Sequence, residues 1–109
     1  MSIFEDRQCE TKPSLLTEKE VSDHLQDISP DWQLSEDKKS VVRTFEFKNY
    51  YHTMAFVNVV AMVAHRQDHH PDMTVTYNTC RVEFSTHSVG GLSLNDFICA
   101  AKVDGILKI

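Results

Sequence analysis

The chain has 109 residues, 41% hydrophobic and 25% charged, with a formal net charge of −5 and a pI of about 5.6. That length suits one domain around one core. The acidic balance, with Lys and Arg scattered along the chain, argues against a protein that grips nucleic-acid phosphates.

The N-terminus, MSIFEDRQCE, has neither a basic segment nor an apolar one, so no secretory signal is expected. The longest near-apolar run, Ala55 to Ala64, is about half of the ~20 residues a membrane-spanning helix needs. Cys9, Cys80 and Cys99 lack the spacing of metal ligands and read as free thiols in a reducing cytoplasm. Cys80 and Cys99 suit small core positions.

Residues 1–14 are polar and aperiodic and read as a flexible arm, with a single domain over 15–109. Thr17 and Glu20 form a capping-box pattern, flanked by Leu16 and Val21 at the hydrophobic-staple positions. Val21, Leu25 and Ile28 continue one apolar stripe, which predicts a helix over 18–28, stopped by Ser29-Pro30-Asp31. Trp32 to Leu34 begins a short strand, with Trp32 suited to the core or to a subunit contact. After the polar turn Glu36-Asp37-Lys38-Lys39, the alternation from Ser40 to Phe47 predicts a second strand, with Val41, Arg43, Phe45 and Phe47 on one face.

Asn49 suits the cap of a long helix over 50–67, with Met54, Val57, Ala61 and Ala64 on one stripe and Phe56, Val60 and Val63 beside it. So broad an apolar face calls for cover by the sheet and by another subunit. Pro71 disfavours helical geometry at His70 and should end the helix near Asp68 or His69. Two further strands are expected over 73–77 and 81–86, turning near Asn78-Thr79. Gly90-Gly91 then turns the chain, Ser93 caps a third helix with Asp96 three residues on, and Gly105 suits its stop. The order α-β-β-α-β-β-α predicts an α+β fold: a four-stranded antiparallel sheet with three helices packed on one face.

The chemistry concentrates in the histidines. His65 and His69 are four apart and would share a helix face. His70 follows the helix, and His87 falls at the end of the fourth strand, where it can meet His69 and His70 at the sheet rim. Imidazoles titrate near working pH, and two or three in one cleft supply both an acid and a base. The negative end of the second helix favours protonated His69. Against this stands the plain reading: histidine at a helix C-terminus complements the dipole and is commonly structural. His-x-x-x-His-His with Asp68, Asp72 and His87 nearby also has ligand types that zinc accepts, but no cysteine stands at ligand spacing and no Glu lies inside the H-x-x-x-H. Asp96 reads first as part of the Ser93 capping box, with a possible second task of orienting a histidine.

From Asp68 to Asp96 the chain reads DHHPDMTVTYNTCRVEFSTHSVGGLSLND. This stretch closely resembles the signature of pterin-4a-carbinolamine dehydratases of bacterial type: His69-His70-Pro71, the aromatic Tyr77, His87 and the later Asp96. The tail NDFICAAKVD is similar too, and the resemblance runs from about Leu16 to the end. It implies dehydration of a 4a-hydroxytetrahydropterin to quinonoid dihydropterin and water, serving an aromatic amino acid hydroxylase. It implies catalytic roles for His69, His70 and His87, and a pterin held by Asp68, His69, His70, Pro71, Ser85, Thr86, His87 and Asp96. No metal or organic cofactor is implied, and a homodimer or homotetramer is. One departure stands out: His65 occupies a position where many members carry Glu. Some members also serve as dimerisation partners of transcription factors, so a binding module that has lost catalysis is the alternative.

Overall fold

Local signals in the sequence place most of the elements. The computed structural model describes residues 4–106. In it, Thr17 accepts from the Glu20 N–H, while the Glu20 carboxylate accepts from the Thr17 N–H, opening helix α1 (Glu18–Leu25). The helix is shorter than the apolar stripe suggests. Gln26 and Asp27 donate to carbonyls three residues back, tightening the last turn, and Ile28 is buried from beyond the helix.

Strands β1 (Gln33–Leu34) and β2 (Val41–Glu46) pair antiparallel, as do β3 (Asp72–Val75) and β4 (Thr79–Phe84). The two hairpins join through β2 and β4, giving one four-stranded sheet in the order β1-β2-β4-β3. Register puts Val41 opposite Phe84, Arg43 opposite Val82 and Phe45 opposite Cys80, all on the covered face. Val41, Phe45, Cys80, Val82 and Phe84 are buried there, while Thr44 and Arg81 stay exposed on the other face. Each fully buried large apolar side chain contributes roughly 1.5–3 kcal/mol.

Helices α2 (Tyr50–Gln67) and α3 (Leu94–Ile106) cover this face. Asn49 caps α2 by accepting from the His52 N–H. Only Thr53, Phe56 and Val60 of α2 are fully buried, so its inward stripe is centred one position away from the Met54–Val57–Ala61 stripe. Helix α3 is the central one, buried from Asn95 to Ala101 and again at Val103. It runs through Gly105 rather than stopping there. A Cβ on Gly105 would collide with the Glu5 carboxyl, so the glycine serves close packing.

Arg43 points into the covered side and would be an isolated charge without partners. Its guanidinium lies over the Phe45 ring and donates to Asp104 at 2.7 Å, and the Trp32 indole N–H donates to the same carboxylate. Trp32 therefore anchors the core. Residues 4–14, though almost without regular structure, lie against the domain: Phe4 is buried beside Phe97, and Glu10 is bonded to Asn95. No helix among the described residues is long and apolar enough to cross a membrane.

Candidate active site

The site begins where α2 ends. Asp68 takes left-handed backbone angles, φ 51° and ψ 43°, which Asp tolerates better than most residues. The Asp68 N–H donates to the His65 carbonyl and the His69 N–H to the Ala64 carbonyl, the paired bonds of a Schellman stop. This turn redirects the chain, so His65 and His69 do not share a helix face. His65 stays exposed on α2, while His69 swings inward, its ring stacked at 6.0 Å on Phe84. His70, the next residue, is exposed, and Pro71 is buried.

Asp96 is fully buried in the first turn of α3 and meets His69 there. Its Oδ1 lies 2.6 Å from His69 Nε2, and its Oδ2 accepts from the Thr86 hydroxyl at 2.8 Å and from the Ser93 N–H at 2.9 Å. Ser93 Oγ lies 2.7 Å from Thr86 Oγ1 and accepts from the Asn95 N–H. One ordering satisfies every bond. Ser93 donates to Thr86, Thr86 donates to Asp96, and His69 donates its Nε2–H to the same carboxylate. Asp96 thus accepts from three donors, and its grip assigns the His69 tautomer and leaves Nδ1 as the nitrogen turned away from Asp96. Both suggested tasks of Asp96, helix capping and histidine orientation, are thus performed by one carboxylate.

Burial alone would lower the basicity of His69, but the hydrogen bond and charge of Asp96, helped by Cys9 and Asp68, outweigh it and hold the pKa above the usual 6.5. The ring therefore keeps its proton to a higher pH than a free imidazole does.

His87 is placed differently. Strand β4 stops at Phe84, two residues earlier than expected, and His87–Val89 forms a short 3₁₀ turn. Thr86 and Gly91 bridge across its base, and Gly90 closes the turn at φ 72°, where a side chain would be strained. Asp68, His69, His70 and Pro71 line a hollow of about 330 Å³ together with His65 and Met73. Ser85, Thr86 and His87 line another of about 310 Å³, with Asp72, Glu83 and Gly90. The Thr86–Asp96–His69 bonds tie the walls of the two hollows together. Sequence reasoning did not find Phe84 as the floor under His69, nor the Ser93 hydroxyl as a link to Thr86. Ser93 carried a signal, as a helix cap; Phe84 carried none beyond its place in the strand expected over 81–86. Among the described residues no three His, Cys, Asp or Glu side chains are grouped as metal ligands.

The profile of the family described as pterin 4 alpha carbinolamine dehydratase matches residues 14–106. A Nitrosomonas eutropha protein, named provisionally as pterin-4-alpha-carbinolamine dehydratase, is 56% identical over 101 residues, covering 93% of this chain and 88% of the relative. A Legionella pneumophila protein with the same provisional name is 46% identical over 99 residues, covering 91% and 88%. The crystal structure of a Brucella melitensis protein titled transcriptional coactivator/pterin dehydratase superposes with a TM-score of 0.79 at 32% identity, covering 84% of this chain and 96% of that one. A pterin dehydratase-like protein described as a RuBisCO assembly factor of the alpha-carboxysome shares the fold, with a TM-score of 0.60 at 19% identity over 70% of this chain and 88% of that one. With residues 14–106 matched by the family profile and 93% of its length by a relative 56% identical, this chain belongs to the pterin 4 alpha carbinolamine dehydratase family.

Proposed function

We propose that the protein is a 4a-hydroxytetrahydropterin dehydratase working by acid–base chemistry in the cytoplasm, where it returns quinonoid dihydropterin to the cofactor cycle of an aromatic amino acid hydroxylase. The observation that carries this reading is the His69–Asp96 pair at 2.6 Å, backed by buried hydroxyls and opening toward exposed His70. Hydroxide leaves poorly, so the C4a–O bond breaks only as a proton reaches the oxygen. As the C4a=N5 bond forms, N5 gives up its proton. The reaction therefore needs a donor and an acceptor but no net proton. His69, held by Asp96 and kept basic, and His70 beside it supply this pair, with proton exchange at His69 Nδ1. His87 polarises the pterin near the 4a hydroxyl, and Asp68, Pro71, Ser85 and Thr86 shape the pocket around it. The acid–base groups contribute roughly 10²–10⁴-fold in rate.

Dehydration kinetics on a 4a-hydroxytetrahydropterin test the reading. His69→Ala and His87→Ala should each lower kcat by roughly 10²-fold or more. A double variant with the wild-type rate would remove the role assignment.

A second reading, a dehydratase-like binding module, draws support from the outer face of α2. Tyr51, Val59 and Met62 are exposed there at 80%, 41% and 56%, at spacings of eight and three residues. The same face supports a homo-oligomer. Light scattering should find more than one chain per particle, and Met62→Glu should reduce the mass. No rate above the uncatalysed background, together with intact assembly, would favour the binding role.

A further inference from the structure

The segment before α1 runs along α3 in the opposite direction and meets it on one stripe. Glu10 and Asn95 exchange two hydrogen bonds, at 2.8 Å and 2.9 Å, through the Glu10 backbone and the Asn95 amide. Lys102 donates to the Glu5 carbonyl at 2.8 Å, and Glu5 packs over Gly105. Between these ties, Cys9 Sγ lies 3.5 Å from Cys99 Sγ. Gln67, at the end of α2, accepts from the Cys9 N–H and donates to the Gln8 side chain, so the segment is held on both sides of Cys9. All three cysteines are free thiols, and Cys80 is buried in the sheet, opposite Phe45.

We propose that Cys9 and Cys99 are a redox modification site: a hydroperoxide converts them to a reversible intramolecular disulfide that locks the N-terminal segment onto α3. The sulfurs must close by about 1.5 Å to reach a disulfide bond length near 2.05 Å, a movement within reach of side-chain rotation. The roles of the two thiols differ. Cys9 is only partly buried, and the Cys99 hydrogen bond holds its thiol below the usual value, with His69 adding a favourable charge. Cys99, whose thiol is pushed well up by that hydrogen bond and by burial, is the resolving partner.

In the first step the Cys9 thiolate attacks the terminal peroxide oxygen. The O–O bond breaks, the leaving oxygen takes a proton, and Cys9 becomes a sulfenic acid. In the second step Cys99 sulfur attacks Cys9 sulfur. The S–O bond breaks, and hydroxide leaves as water with the Cys99 proton. Two thiols lose two electrons and two protons, and the hydroperoxide is reduced to an alcohol, or to water, plus a second water. A dithiol reductant reverses the change by exchange.

The test treats the full-length chain with a small excess of hydrogen peroxide, alkylates the remaining thiols, digests without reduction and maps the peptides by mass spectrometry. The expected product is a single Cys9–Cys99 link with Cys80 alkylated, erased by dithiothreitol and absent from Cys9→Ser and Cys99→Ser. The linked chain should melt roughly 10 °C higher than the reduced one, because the bond closes a long loop. Three alkylated cysteines after treatment, Cys9 carried on to sulfinic acid without a link, or a Cys9–Cys9 link between two chains would each overturn the proposal.

Discussion

His69 and His87 are equally prominent in the sequence, yet they sit in opposite physical settings. His69 is mostly buried, stacked on Phe84 and bonded to a carboxylate that accepts two further hydrogen bonds. His87 is exposed on a three-residue turn that ends in a left-handed glycine. The first setting fixes one ring orientation and one tautomer through contacts within the chain. The second leaves the ring exposed to solvent. Buried hydrogen bonding is thus concentrated around Asp96, while His87 and Ser88 face solvent.

The sharpest way to break this contrast is Asp96→Ala. It strips three donors of their acceptor inside the domain and should cost roughly 3–5 kcal/mol in urea unfolding, whereas His87→Ala should stay within about 0.5 kcal/mol. Equal losses for the two would mean that the buried network does not hold the domain together.

A milder probe is pH. The folded pKa of His69 lies above its unfolded value, so protonated His69 stabilises the fold fully below about pH 6.5, and the contribution disappears as pH rises through the folded value. His69→Gln should therefore cost more at about pH 5.5 than at about pH 8.5. Its lost packing on Phe84 is the same at both. A pH-independent cost would show that Asp96 does not select the charged ring.

The smallest expected effect belongs to Thr86→Val. It keeps the shape, removes one bond to Asp96 and leaves the Ser93 hydroxyl without its acceptor, for roughly 1–2 kcal/mol. NMR titration should show the His69 midpoint moving. An unmoved His69 midpoint would mean that Thr86 does not act on the ring through Asp96.

Much of this arrangement is legible in the chain itself. The Thr17–Glu20 box, the alternation through β2 and the span of α2 were readable because each depends on neighbours within four residues. The end of α1 was not, because the stripe ran on to Ile28 although that residue is buried from outside the helix. The inward stripe of α2 also shifted, because several of its faces are apolar and only the sheet selects one. Of the site, the His-His-Pro motif, His87 and Asp96 stood out as residue types. The turn at Asp68 that separates His65 from His69 did not, since Asp enters left-handed geometry only when the surrounding bonds hold it there.

By itself, then, the sequence determined the elements, their order and the set of ionisable groups, because periodicity and capping act over a few residues. Only the tertiary structure decided that His69 turns inward while His70 stays out, that Asp96 reaches a ring 27 positions away, and that Cys9 lies on Cys99. Those contacts come from packing β4 between β2 and β3 beneath α3, and burial there makes a hydrogen bond or a charge pair far more consequential than its position in the chain reveals.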